Sequence, residues 1–202
     1  MYSVSEFHIG EQIPRNGNRF SRALGRCLMR MLGGWGVEGS LPNEPKLIAA
    51  AGPHTSNWDF VVAMPVVMAL GVKISYLGKH TLFIPPFHYF FKSLGGIPVN
   101  RQQNNGVVDV MAKSFRDNER LILGMAPEGT RGKVNQLRSG FLHISRATQV
   151  PVVLIGWDFE RKVLVFGPLI PPSDDIDAGL RVAEEFFARM KGKNPPSTRC
   201  RL

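Results

Sequence analysis

The run Leu47-Ile48-Ala49-Ala50-Ala51 is short, apolar and without helical periodicity, and it ends at Gly52-Pro53. A second apolar run, Val61 to Leu70, follows ten residues after the first and is long enough for a helix. A third segment, Lys73 to Gly78, again has the length of a strand. Strand, turn, helix and strand in that order suit a right-handed crossover between parallel strands. No other stretch limits the fold as much, because parallel strands need helices covering both faces of their sheet. The chain is therefore expected to be an α/β protein. Its 202 residues suit a single domain with a core large enough to need no disulfide framework.

The turn within this unit carries candidate chemistry. His54 and Asp59 stand five positions apart in Gly52-Pro53-His54-Thr55-Ser56-Asn57-Trp58-Asp59-Phe60, where the strand gives way to the helix. A carboxylate in a helix's first turn can reach back to an imidazole on the preceding turn. It then sets the ring's tautomer and stabilises its protonated form, while the second ring nitrogen takes a proton from a substrate.

The rest of the pattern extends the same architecture. Residues 1 to 14 read as a loose lead-in without the cationic start and apolar run of a signal peptide. Arg15, Arg19, Arg22, Arg26 and Arg30 recur at helical spacing. Phe20, Ala23, Leu24, Cys27, Leu28, Met31, Leu32 and Trp35 fall on the opposite face of the same helix, which Gly33 and Gly34 end. A basic amphipathic helix of this kind suits a membrane surface, and equally a helix docked on its own domain with a solvated arginine face. The domain division expected is 1–36 for lead-in and amphipathic helix, and 37–202 for the α/β domain.

Val37 to Lys46 reads as a turn-rich connector, and Asn57 to Leu70 as a helix bent at Pro65. An aromatic-dense stretch with Phe83, Phe87, Tyr89, Phe90 and Phe91 suits a wall for an acyl chain, a membrane-facing edge or ordinary core. A short strand is expected at Ile97 to Val99, with Arg101 just beyond it. Helices are expected over 107–118 and 139–148, strands over 121–125, 150–157 and 162–167, and a last helix from Asp174 or Asp175 to Met190. The tail, Lys191 to Leu202, reads as frayed.

A second polar cluster follows the strand at 121–125: Pro127-Glu128-Gly129-Thr130-Arg131. Glycine permits close approach of a ligand to backbone, and arginine offers a planar fork suited to phosphate. The charge balance, 25 basic against 16 acidic residues, is +9 and favours anionic partners. Nucleic acid is not expected, since neither zinc-finger spacing nor an RNP-like aromatic motif is present. Two cysteines, Cys27 and Cys200, have no metal-ligand spacing and suit a reducing compartment. No stretch approaches the ~20 apolar residues that span a bilayer. His80, His88 and His143 lack a partner pattern and read as structural. Ser139 and Ser145 lie outside any nucleophile elbow.

Taken in order, His54-x4-Asp59, Gly95-Gly96-Ile97-Pro98-Val99-Asn100-Arg101, Pro127-Glu128-Gly129-Thr130-Arg131 and Val150-Pro151-Val152-Val153 resemble the four motif blocks of the glycerolipid acyltransferase family, of the PlsC-like lysophosphatidic acid acyltransferase type. The resemblance spans roughly residues 35 to 170. It implies a glycerol-3-phosphate acyltransferase-like domain with a mostly parallel central sheet flanked by helices, here preceded by the amphipathic helix. It implies transfer of a fatty acyl chain from acyl-CoA or acyl carrier protein to the hydroxyl of a lysophospholipid such as 1-acylglycerol 3-phosphate, in phospholipid biosynthesis.

On that resemblance His54 is the general base and Asp59 orients it. Glu128, Gly129, Thr130 and Arg131 hold the acceptor, with Arg101 or Lys79 at its phosphate. The hydroxyl attacks the thioester directly, so neither a metal nor a cofactor is required. The partners implied are the thioester donor, the lipid acceptor and an anionic membrane surface, with a cytoplasmic, peripheral place on the inner face of the cell membrane. Pro53 stands where the family's first block commonly has asparagine, and Trp58 sits beside the aspartate. These departures leave open an acceptor without glycerol phosphate, such as another hydroxylated lipid or an acylated amino acid; the alternative from another class is a catalytically silent lipid-binding protein of the same fold.

Overall fold

The computed structural model describes residues 7–56, 58–79, 84–85, 88–89, 95–99, 107–128 and 137–194. Helix α1 (Arg19–Met31) precedes a short strand β1 (Gly36–Glu38), β2 (Lys46–Gly52), α2 (Trp58–Leu70) and β3 (Ile74–Lys79). There follow β4 (Gly96–Val99), α3 (Val107–Asp117), β5 (Leu121–Met125) and α4 (Gly140–Thr148), and then β6 (Val152–Asp158), β7 (Val163–Ile170) and α5 (Ile176–Ala188). The seven strands form one sheet in the order β1-β7-β6-β2-β5-β3-β4. Every pairing is parallel except β6 with β7, which is antiparallel. The α/β class and the mostly parallel sheet agree with the expectation.

The side chains of β2 and β6 show why both faces are covered. Leu47, Ala49, Val153, Ile155 and Trp157 enter one core with Val62, Val66 and Ala69 of α2. Ile48, Ala50, Val152 and Leu154 enter the other with Met111, Phe115, Phe141, Ile144, Ala183 and Phe187 of α3, α4 and α5. Successive residues of a strand point to opposite faces, so an apolar run without alternation must be buried on both. Proline falls where the ladder tolerates it. Pro98 lies on edge strand β4, and Pro168 lies in the part of β7 beyond its pairing with β1.

Several boundaries differ from the expectation. Helix α1 begins at Arg19, not Arg15. Asn18 and Ser21 form a capping box, each side chain bonding the other's backbone N–H at 2.9 Å. Arg15 instead pairs with Val72 and donates from Nη2 to the Ile9 carbonyl at 2.6 Å. The supposed connector contains β1, too short to show a period. Arg161 ties β1 to the β6–β7 turn by ion pairs to Glu38 at 2.9 Å and Asp158 at 2.8 Å. Those bonds outweigh burial and hold the Asp158 carboxyl below its ordinary range.

Residues 7–14 are not loose. Ile9 and Ile13 are buried in the same core as Leu47 and Trp157. Nor does the tail leave the fold directly after α5, because the Lys191 carbonyl accepts from Phe159 N–H at 2.8 Å.

Helix α1 packs on α2 through neither of its two expected faces. Gly25 and Met29, on the seam between them, are its buried residues. A Cβ on Gly25 would lie 2.5 Å from Ala69 N and 2.7 Å from Pro65 O, so only glycine lets the helices approach this closely. Phe20, Leu24 and Met31 stay exposed, as do Trp58, Phe60 and Val61 on α2.

Candidate active site

Parallel pairing puts the C-terminal ends of β2 and β5 side by side, with Ala50 opposite Met125. The loops that follow these two strands therefore leave the sheet at the same edge. The edge beyond the carboxyl ends of parallel strands is where α/β sheets mount ligand sites. At Gly52 a Cβ would stand 3.2 Å from the Phe187 ring, so the backbone turns close under α5.

His54 is partly exposed on this edge, and its Nδ1 lies 3.3 Å from Asp59 Oδ2. The same carboxylate oxygen accepts the Ser56 N–H at 3.0 Å. Asp59 is only 1% exposed, and its Oδ1 has no partner among the described residues. A buried carboxylate facing Nδ1 favours the tautomer with the proton there, which leaves the Nε2 lone pair free. The first turn of α2 thus supplies the carboxylate, as the five-residue spacing requires.

Glu128 joins the two clusters. Its Oε1 accepts the backbone N–H of His54 at 3.1 Å, across 74 positions of sequence. The side chain is 2% exposed, and Oε2 has no partner among the described residues. Burial pushes the Glu128 carboxyl above its ordinary range and Asp59 adds to the rise, while the His54 N–H and imidazole oppose it. Pro127 is held in turn, its carbonyl accepting from Arg138 N–H at 2.8 Å.

The structure thus brings His54, Asp59 and Glu128 together. Gly129, Thr130, Arg131 and Arg101 lie outside the described residues. Lys79 is placed as the last residue of β3, but its side chain is outside them too. Of the aromatic stretch, Tyr89 is described and is largely exposed.

Sequence reasoning missed a third contributor. Asn194 Nδ2 donates to the Thr55 carbonyl at 2.9 Å, and Asn194 N–H points to Thr55 Oγ1 at 3.4 Å. Lys193 Nζ lies 3.6 Å from the centroid of the Trp58 ring. Both contacted residues lie between His54 and Asp59. No local pattern signals such a contact, because 139 residues separate its partners.

An α/β sheet with an imidazole–carboxylate pair at the carboxyl edge of its strands is a scaffold suited to proton transfer from a bound hydroxyl. The sequence model of the Acyltransferase family matches residues 36–156, more than half of the chain, and the protein belongs to that family. The matched span begins at β1 and ends within β6. A 1-acyl-sn-glycerol-3-phosphate acyltransferase of Cocos nucifera is 28% identical over 145 residues, which are 69% of this chain and 46% of the relative. The chain thus spans about half the length of the curated relative it matches. The crystal structure of the 1-acyl-sn-glycerophosphate (LPA) acyltransferase PlsC from Thermotoga maritima superposes with a TM-score of 0.57 at 20% identity. That match covers 86% of this chain and 81% of the other. This likeness establishes a shared fold.

Proposed function

We propose that the protein transfers a fatty acyl chain from a thioester, acyl-CoA or acyl carrier protein, to the hydroxyl of a lysophospholipid of the 1-acylglycerol 3-phosphate type. The observation that carries this reading is the contact of His54 Nδ1 with the buried Asp59 carboxylate, on a loop whose first N–H is held by Glu128. Family membership and the relatives' printed activities support the acyl chemistry.

Nε2 of His54 takes the acceptor's hydroxyl proton as the oxygen attacks the thioester carbonyl. The new C–O bond forms, the C–S bond breaks, and the departing sulfur recovers the proton from the imidazolium as a free thiol. Asp59 stabilises the imidazolium between these steps. Glu128, expected at the acceptor, is assigned instead to holding the His54 backbone, because its carboxylate is buried and faces inward. Gly129, Thr130 and Arg131 follow it directly, and Arg101 follows β4. They and Lys79 are assigned to the acceptor and its phosphate, where arginine's fork and lysine's point charge suit an anion.

Within residues 1–36 the exposed side of α1 is assigned a docking role, and 37–202 the transfer. Phe20, Leu24 and Met31 on α1 are exposed beside Arg19 and Arg30, which suits the inner face of an anionic membrane. Among the described residues, no helix is long and apolar enough to cross a bilayer.

Thiol release from purified protein, given an acyl thioester and a panel of lysophospholipids and acylated amino acids, tests the proposal. His54→Ala should lower turnover by about 10²–10⁴-fold while circular dichroism shows the fold retained. Equal release by the variant would remove His54 from the chemistry. No release with any acceptor would favour a silent lipid-binding protein.

A further inference from the structure

The residues that follow α5 approach the loop that carries His54. Met190 N–H closes the helix on the Phe187 carbonyl, and the Lys191 carbonyl takes the Phe159 N–H at 2.8 Å. Lys191 also pairs with Glu160. The chain is thereby tied to the β6–β7 turn just before three consecutive residues reach the loop. Gly192 is one: a Cβ there would stand 2.7 Å from the Thr55 methyl and 2.8 Å from its hydroxyl oxygen. Lys193 places its ammonium over the face of Trp58 at 3.6 Å from the centroid. Asn194 donates from Nδ2 to the Thr55 carbonyl at 2.9 Å.

The loop needs such support. His54 and Glu128 are joined at the loop's start, and Asp59 sits on α2 at its end. Between them, the Ser56 N–H reaches Asp59 and the Trp58 N–H reaches Ser56 Oγ at 3.2 Å. Both are short-range contacts within the loop itself. The contacts from residues 192–194 come from the far end of the chain and engage two of the four positions between the histidine and the aspartate. Trp58 is nearly half exposed and has the Lys193 ammonium over its ring.

We propose that Gly192–Asn194 is a clasp that positions the His54 loop, with Lys193 and Asn194 as positioning residues for the transfer. Lysine over tryptophan fixes the side of the loop nearest α2, and the asparagine amide fixes the Thr55 peptide next to the histidine. A loop held at both points keeps the imidazole within reach of Asp59 and of the acceptor hydroxyl. Displacements of about 1 Å at such a centre can cost about 100-fold in rate. Residues 192–194 touch no reacting atom in this arrangement, so their effect appears in turnover and not in substrate affinity. The proposal rests on His54 acting as the base.

Steady-state kinetics of the full chain with acyl-CoA and a lysophospholipid test it in Asn194→Ala, Asn194→Asp and Lys193→Met. The aspartate variant keeps the side chain's size but loses the donor to the Thr55 carbonyl. Each should lower kcat by about three- to tenfold with both KM values unchanged, the scale of one hydrogen bond or one cation–π contact. The His54 ring 15N resonances, compared between wild type and Asn194→Ala, should shift toward those of an imidazole freed from Asp59. Wild-type kcat in all three variants overturns the clasp, and so does a raised KM at unchanged kcat, which would put these residues in substrate binding. If His54→Ala is inactive while none of the three clasp variants is impaired, the clasp alone fails. If His54→Ala is active, the base assignment fails, and unchanged ring resonances in Asn194→Ala would then overturn the clasp as well.

Discussion

Glu128 shows how much one side chain can decide. It is the link between the two sequence clusters, and it lies where a carboxylate is costly to ionise. Its folded pKa is raised above the unfolded value, first by burial and then by Asp59. A group of this kind contributes its stability below the unfolded carboxylate pKa and loses it as pH rises through the folded one. Wild-type stability should therefore fall, relative to Glu128→Gln, as pH climbs from the ordinary carboxylate range through that raised value. Melting temperatures of the two proteins against pH check this, and parallel curves would count against it. The glutamine oxygen still accepts the His54 N–H, so thiol release should survive better in Glu128→Gln than in Glu128→Ala. The motif Pro127-Glu128-Gly129-Thr130-Arg131 was legible as chemical in the sequence, but the direction in which Glu128 points was not. That depends on β5 lying beside β2.

The elements repeat that division. Strand β5 occupies the span its apolar run predicts, and α2 runs to Leu70 as expected. Helix α1 is the case where periodicity misleads. Its arginine and apolar faces were legible, yet the contact with α2 forms on the seam between them, at Gly25 and Met29. The reason is steric: glycine permits a close approach, and the larger apolar side chains do not. Gly25→Leu places a side chain against the Pro65 carbonyl and the Ala69 amide, both backbone and unable to yield. It should destabilise the protein by about 1–3 kcal/mol, read from urea midpoints. The apolar residues this docking leaves outside carry the second prediction at this scale. Replacing Phe20, Leu24 and Met31 together with glutamate should abolish sedimentation with anionic vesicles while thiol release from a detergent-dispersed acceptor persists. Retained vesicle binding would move the membrane contact away from α1.

At the scale of the molecule, the termini are where the local reading fell furthest short. Residues 7–14 contain too few apolar positions to register as an element, yet Ile13 is wholly buried. Its packing comes from elements that follow it in the chain, with Lys73 N–H bonding the Pro14 carbonyl at 2.8 Å. Ile13→Ala should therefore cost about 2–5 kcal/mol in equilibrium unfolding, as at any core site. A loss below about 0.5 kcal/mol, usual for surface positions, would return this segment to a lead-in.

The sequence alone determined what depends on neighbours along the chain. It determined the strand–turn–helix unit at Leu47 to Leu70, the five-residue step from His54 to Asp59, and the doubly buried character of the strands. These follow from backbone geometry and side-chain period, which act over one or two turns. Tertiary structure alone decided the strand order, and with it the seating of Glu128 behind His54 and of Asn194 on Thr55. Pairings across 74 and 139 residues are selected by which buried faces fit together, and no local repeat encodes that choice.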